Sequence, residues 1–383
     1  MSVTAPQGFR AAGVTAGLKE SGERDVAVVI NDGPSRAAAA VFTSNRVKAA
    51  PVTWSQQVIA GQKVKAVVLN SGGANACTGP AGFQDTHATA ERLAEALGDS
   101  AAECVVCSTG MIGERLPMDK LLPAVDEAVI TARRSGGTDA ADAIRTTDTV
   151  VKIAFRRDKG YTIGGMAKGA GMLAPGLATM LCVITTDADL TSDELQSALI
   201  TATSTTFDRL DTDGCMSTND TVLLMSSGAA KTRPDKRDFT ALLTDLCADL
   251  ARQLQLDAEG ASKMITIEVV GAVSEKDAVT AGRAAARSNL LKCAIHGGDP
   301  NWGRVLSAVG TTDAVFDPDR INVAINGVWV CRNGAPGEPR EKADLSGRDV
   351  TITVDLNNGP QSAVILTTDL TAEYVHENSA YST

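Results

Sequence analysis

The stretch Lys168-Gly-Ala-Gly-Met-Leu-Ala-Pro-Gly-Leu-Ala-Thr-Met-Leu-Cys182 links two apolar runs, and its reading decides what surrounds it. Residues 162–167 and 180–186 read as two strands, joined by a glycine-rich loop that passes through Ala178-Thr179 into the second strand. A threonine hydroxyl is a weak nucleophile at its free pKa and needs a base close by. The nearest base is its own α-amine, once the peptide bond before it is cut. Attack of the Thr179 hydroxyl on the Ala178 carbonyl would give an ester by an N-to-O acyl shift, and water opening that ester would leave two chains. Local composition alone favours an ordinary loop entering a buried strand, so the case rests on the rest of the chain.

Outward from this loop, short β-branched runs alternate with alanine-rich amphipathic stretches. Residues 25–30, 37–42, 65–70 and 104–108 read as strands, and 85–97 and 118–133 as helices. Ser192 two residues before Glu194 starts a helix to about Thr203. Residues 221–226 form a strand, 238–257 a strongly periodic helix, 264–270 a strand of clean alternation and 275–289 an alanine-rich helix. The strands 320–325, 328–331 and 349–356 follow. Asn326-Gly327 supplies a two-residue hairpin turn, and the Gly/Pro/charge stretch 333–347 is a surface excursion. Strands and helices without a regular βαβ rhythm predict an α+β fold built in layers.

The chain has 383 residues, 44% of them hydrophobic, enough for a sizeable core. Its 36 Lys+Arg against 46 Asp+Glu give a formal charge of −10. This balance, with the basic residues dispersed, argues against nucleic acid or an anionic membrane as partner. No window approaches the roughly 18 apolar residues of a membrane span and no apolar signal core opens the chain, so the expected location is cytoplasmic. The eight cysteines are too sparse for a disulfide scaffold. Several, including Cys104, Cys182, Cys293 and Cys331, lie in apolar runs and are expected reduced and buried. Cys104-Val-Val-Cys107 matches C-x-x-C but reads as strand, with no second ligand pair at zinc spacing. His87, His296 and His376 lie outside any nucleophile-elbow context.

Polar motifs stand at strand ends. Cys107-Ser-Thr-Gly110 can present a hydroxyl beside a backbone N–H, two donors suited to an oxyanion hole, or it can be a plain strand exit. Lys168 enters the glycine loop but lacks the phosphate-loop pattern. Asp211-Thr-Asp-Gly214 with Asp220 does not complete a calcium loop, so no metal is expected and the aspartates read as caps and turn formers. Glu259 can pair with a substrate ammonium, or be a solvated carboxylate at a helix end. Asp299-Pro-Asn-Trp-Gly-Arg304 reads as a rigid hydrogen-bonding loop, and the aromatic-bearing tail Tyr374 to Thr383 as a docked terminus.

Together these motifs resemble the ornithine acetyltransferase family, the bifunctional glutamate N-acetyltransferases of arginine biosynthesis. The resemblance lies in Cys107-Ser-Thr-Gly110, Thr146-Thr-Asp-Thr149, the run from Gly164 to Leu181, Ser217-Thr-Asn-Asp220, Glu259-Gly-Ala-Ser-Lys263, Asp299 to Arg304 and Glu377 to Thr383, in order along nearly the whole chain. It implies a layered α-β-β-α sandwich of the self-processing, DmpA-like kind. It also implies cleavage between Ala178 and Thr179 into an α chain (1–178) and a β chain (179–383) that fold together, associating as a heterotetramer or larger assembly. Carried over motif by motif, the nucleophile is Thr179, the oxyanion donors are Thr109 and Gly110, and the substrate contacts are Thr146, Lys168, Thr179, Glu259, Asn378 and Thr383. The implied reaction moves an acetyl group from N2-acetylornithine to glutamate through an acetyl-threonine intermediate. It needs no cofactor, and acetyl-CoA is a candidate second donor. The alternative is a self-processing amidohydrolase or aminopeptidase of the same architecture. The chain departs from the family pattern at Arg145, Gly176 and His296-Gly-Gly298, none of them a carried-over position.

Overall fold

The β-branched runs and alanine-rich stretches form the strands and helices of a computed structural model, which describes residues 2–174 and 180–380. The chain begins β1 (Phe9–Val14), β2 (Val26–Asn31), β3 (Ala38–Phe42), α1 (Ala50–Ala60), β4 (Ala66–Ser71), α2 (Gly79–Leu97), β5 (Cys104–Thr109), α3 (Met118–Thr131) and α4 (Gly137–Ala143). It continues through β6 (Lys152–Asp158), β7 (Tyr161–Lys168), β8 (Leu181–Thr186), α5 (Ser192–Thr205), β9 (Thr221–Ser226) and α6 (Lys236–Leu256). The remainder is β10 (Met264–Ala272), α7 (Glu275–Ala286), α8 (Asn289–His296), α9 (Trp302–Val309), β11 (Asn322–Ile325), β12 (Val328–Arg332), β13 (Ala335–Pro336), β14 (Asp349–Asp355), β15 (Gln361–Thr368) and α10 (Ala372–Ala380). The fold is α+β. The Ala178-Thr179 junction and Thr383 lie outside the described residues.

Two compact units form. The first holds the described residues up to Asp208 together with Cys215–Leu254, and contains two sheets, ordered β1-β2-β4-β5 and β3-β9-β8-β7-β6. Val26, Val28 and Val67 from one sheet and Met166, Val183, Leu223 and Met225 from the other share a single core. Strands β2, β4, β5, β7, β8 and β9 are buried throughout, because each is covered on both faces. Helices α1 to α4 cover the outer face of the first sheet, while α5 lies on β3. On β7, a Cβ added to Gly165 would stand 3.0 Å from Leu250 and 3.1 Å from Leu246, so this glycine admits α6 close to the second sheet. The layers therefore run α-β-β-α.

In the second sheet, β7 and β8 pair antiparallel from Ile163 with Thr186 to Lys168 with Leu181, so the glycine loop closes on the Lys168/Leu181 pair. Strand β8 pairs parallel with β9, and β9 antiparallel with β3.

The second unit is Arg209–Gly214 with the described residues from Gln255 onward. Its sheet is ordered β13-β12-β11-β14-β10-β15. The alternation of Ile265, Ile267 and Val269 turns one face of β10 into a core shared with Ala281 and Ala285 of α7 and Ile295 of α8. Asn326 and Gly327 both take positive φ in the hairpin between β11 and β12, as their sequence predicts.

The expected elements did not include β1, α1, α4, β6 or β15, and some of those expected differ in the structure. The helix expected over 275–289 ends at Ala286, because Ser288 turns out of it and its side chain accepts the Leu291 N–H to start α8. Asp299 to Arg304 is not a free-standing loop but the start of α9, where the Asn301 side chain caps the helix by accepting the Arg304 N–H.

Candidate active site

Strand β5 ends at Thr109, whose carbonyl accepts the N–H groups of Gly72 at 2.9 Å and Gly73 at 3.0 Å. Gly110 follows with φ of +130°, and a Cβ there would lie 2.6 Å from the Gly73 nitrogen, so only glycine fits this exit. The approach to it is fixed by Asn219, whose side-chain amide donates to the carbonyls of Ser108 at 2.8 Å and Ala74 at 2.6 Å. Two neighbouring hydrogen-bond donors, a threonine hydroxyl and a glycine N–H, thus sit at a rigid strand end. Cys104 and Cys107 lie on the same strand, and burial pushes both thiols up to about 12. They are inert hydrophobes at neutral pH. Cys293, expected buried, is exposed on α8, because the apolar run around it buries only the face bearing Leu291, Ala294 and Ile295.

Lys168 closes β7 with its side chain buried, and its Nζ donates to the Thr109 hydroxyl at 3.2 Å. The strand end of one sheet thereby meets the strand end of the other. Asp148 ties further site residues together: its Oδ1 accepts Lys152 Nζ at 2.6 Å and the Gly169 N–H at 2.7 Å, and its Oδ2 accepts the Thr146 N–H at 3.0 Å. Burial opposes ionisation of this carboxyl. The charges of Lys168 and Lys152 and the Gly169 N–H outweigh it and hold the pKa at about 2. Asp148 stands inside Thr146-Thr-Asp-Thr149 but received no role from the sequence; an acidic residue next to predicted contacts was the available signal.

Asp220, expected to act as a cap or turn former, is completely buried, and its Oδ1 accepts the N–H of Met180 at 3.1 Å. Its Oδ2 has no hydrogen-bond partner among the described residues. Burial pushes its pKa well above the carboxylate range, against the pull of the Met180 N–H, Ser217, Lys168 and Thr43. Asp211, in the neighbouring acidic stretch, belongs to the second unit and pairs with Arg287 at 2.8 Å. Among the described residues no cluster of histidine, cysteine or carboxylate groups has metal-binding geometry.

In the second unit, Asn378 of α10 donates to Glu259 at 3.0 Å and to the Tyr374 carbonyl at 2.9 Å. Thr371 donates from its hydroxyl to the Gly260 carbonyl at 2.7 Å and accepts the Tyr374 N–H at 2.9 Å, which starts α10. Gly260, at φ of +59°, would bring a Cβ within 2.2 Å of the Tyr374 nitrogen. The C-terminal helix is therefore docked on the Glu259-Gly260 turn, and two predicted contacts 119 positions apart touch. Burial and the charges of Glu259 and Glu373 raise the pKa of Glu377 beside them.

Thr109, Gly110, Thr146 and Lys168 thus gather in the first unit, and Glu259 and Asn378 in the second. Ala178, Thr179 and Thr383 lie outside the described residues.

The class defined by this fold and site is an α+β sandwich protein whose candidate active site joins the strand ends of two facing sheets beside a glycine loop. The chain belongs to the ArgJ family, whose sequence pattern matches residues 10–383. The arginine biosynthesis bifunctional protein ArgJ of Thermobifida fusca is 72% identical over 383 residues, covering 100% of each chain. Its counterpart in Streptomyces coelicolor is 65% identical over 382 residues, again covering 100% of each. Among solved structures, ornithine acetyltransferase complexed with ornithine from Mycobacterium tuberculosis is 57% identical, covering 47% of this chain and 96% of that chain, with a TM-score of 0.45. No helix among the described residues is long and apolar enough to cross a membrane.

Proposed function

We propose that this chain is a bifunctional enzyme of arginine biosynthesis that transfers an acetyl group from N2-acetylornithine to glutamate, after cutting itself between Ala178 and Thr179. The observation that carries this reading is the meeting of Lys168 with the Thr109 hydroxyl at 3.2 Å, beside Gly110 and at the mouth of the loop leading to Thr179. In the transfer, the freed α-amine of Thr179 takes the hydroxyl proton as its oxygen attacks the acetyl carbonyl. Thr109 and Gly110 donate to the oxyanion. The C–N bond breaks, ornithine leaves with the proton, and an acetyl-threonine ester remains. The neutral amine of glutamate then attacks that ester, the acyl C–O bond breaks, the amine's proton passes to the threonine oxygen through the Thr179 amine, and N-acetylglutamate leaves, a ping-pong sequence with a covalent intermediate. Lys168 holds a substrate carboxylate and keeps the Thr179 amine neutral near pH 7 by its charge. Thr146 completes the substrate contacts of this unit; Glu259, Asn378 and Thr383 keep the contacts that the resemblance gives them.

Sheet pairing supports a two-chain product that stays together. Strands β8 and β9, beyond the cut, lie between β3 and β7, before it. We assign the processed pair to a cytoplasmic heterotetramer or larger assembly with no cofactor; acetyl-CoA is the candidate second acetyl donor, and assaying glutamate acetylation with acetyl-CoA against acetylornithine decides it.

Denaturing electrophoresis and a transfer assay test the reading. The wild-type chain is expected to run as fragments of 178 and 205 residues, the lengths on either side of the Ala178-Thr179 bond. Thr179→Ala is expected to stay intact and to lose acetyl transfer by a factor of about 10⁴ or more. An active Thr179→Ala variant rules out the nucleophile. Release of acetate with no requirement for glutamate would identify a hydrolase instead.

A further inference from the structure

Met180, the residue bonded to the carbonyl of Thr179, is held at both ends of its backbone by one short segment. Its N–H donates to Asp220 Oδ1 at 3.1 Å, and its carbonyl accepts the Thr221 N–H at 3.2 Å. The peptide group is planar. The Met180 N–H and N–Cα bonds both lie in the peptide unit that joins Met180 to residue 179, so anchoring Met180 restrains that unit. The carboxyl that does this sits at an unfavourable place. Asp220 has no exposed surface, and its Oδ2 lacks a hydrogen-bond partner among the described residues. The neighbouring hydroxyl of Thr43 donates to the Ser217 carbonyl, and the Ser217 hydroxyl accepts the Asn219 N–H. A residue that served only packing would be apolar here, as Val222 and Leu223 are in the strand that follows.

We propose that Asp220 is a positioning residue for the Thr179 nucleophile: its Oδ1, acting through the Met180 N–H, restrains the peptide unit that follows Thr179 and with it the aim of the threonine hydroxyl. This inference rests on Thr179 being the nucleophile. Burial raises the pKa of this carboxyl; what reaches Met180 is Oδ1 as a hydrogen-bond acceptor, a role that an amide oxygen can fill. Asn219, next in the chain, holds the Ser108 carbonyl. One dipeptide thus fixes the backbone on both sides of the reaction: the oxyanion donors through residue 219 and the nucleophile through residue 220.

The test compares Asp220→Asn and Asp220→Ala with wild type in self-cleavage rate, kcat and KM for acetylornithine, the pH profile of kcat, and thermal melting. Asp220→Asn keeps the acceptor and is expected to cleave and turn over within about threefold of wild type, with the pH profile unmoved. Asp220→Ala is expected to lose about tenfold or more in both cleavage rate and kcat with KM within about twofold, the signature of a misaimed reacting group. Three results overturn the proposal: Asp220→Ala as fast as wild type; Asp220→Asn as slow as Asp220→Ala, which would give the acidic proton itself the role; or a loss that follows melting temperature and raises KM together with lowering kcat. If Asp220→Ala does not fold, Asp220→Ser, smaller but polar, takes its place under the same criteria. A wild-type chain that neither cleaves nor transfers acetyl would instead defeat the reading of Thr179, before Asp220 is tested.

Discussion

At the scale of single residues, the site depends on groups that tolerate little change. Gly110 is one of them: its φ of +130° and the 2.6 Å approach of the Gly73 nitrogen leave no place for a methyl group. Gly110→Ala is expected to destabilise the protein by about 1–3 kcal/mol and, in the fraction that folds, to lower kcat about tenfold or more by turning the N–H away; melting and steady-state kinetics measure both. The two buried carboxyls give opposite pH signatures. Asp148 ionises in the folded protein at about 2, below its ordinary 3.8, so its stabilisation is complete above 3.8 and is lost as pH falls towards 2. Asp148→Asn, which leaves Lys152 and Lys168 without that counter-charge, is expected to cost about 3–5 kcal/mol at neutral pH. Its deficit should shrink below pH 4, as the unfolded wild-type chain takes up a proton that the folded carboxyl accepts only near 2. For Asp220 the folded pKa is raised. The native state keeps a proton that the unfolded chain has released, and stability falls as pH rises from 3.8 towards the raised value. Asp220→Asn should lack that slope. Denaturant titrations across the acid to neutral range, on wild type and both amides, read both signs.

At the scale of elements, the β7-loop-β8 unit governs what cleavage can do. Both strands are buried, and they exchange ladder hydrogen bonds up to Lys168 and Leu181. Cutting the loop removes one covalent bond but no ladder hydrogen bond. The two fragments are expected to elute together from a sizing column under native conditions and to separate only in denaturant; separation without denaturant would contradict the interleaved sheet. Much of this scale was legible in the sequence. The apolar run of β9 and the Asn326-Gly327 turn carry their structure in local residue type. The less legible elements had weak local signals. Strand β1 contains Arg10 and three small residues, and becomes a strand through its pairing with β2. Helix α9 starts at an asparagine cap hidden in a motif dense with turn formers.

At the scale of the whole molecule, the candidate contacts fall into two groups, each gathered by its own unit. In the second unit the Asn378-Glu259 hydrogen bond depends on α10 docking at Gly260, a close approach that a side chain at 260 would block. Glu259→Gln is expected to raise KM for acetylornithine about tenfold through loss of a charge-assisted contact while leaving kcat within about threefold, and initial-rate kinetics with both substrates would measure it. An unchanged KM would remove Glu259 from the substrate contacts. The sequence by itself determined the α+β class, the strand-loop-strand around Thr179 and the identities of Thr109, Gly110, Lys168 and Glu259 as candidates, because periodicity, turn chemistry and motif order are local properties of the chain. Only the tertiary structure decided that Asp148 holds Thr146, Lys152 and Gly169 together and that Asp220 and Asn219 grip Met180 and Ser108. Those bonds join residues up to 111 positions apart, and no local pattern encodes which buried carboxyl or amide will meet which distant backbone group once the sheets have stacked.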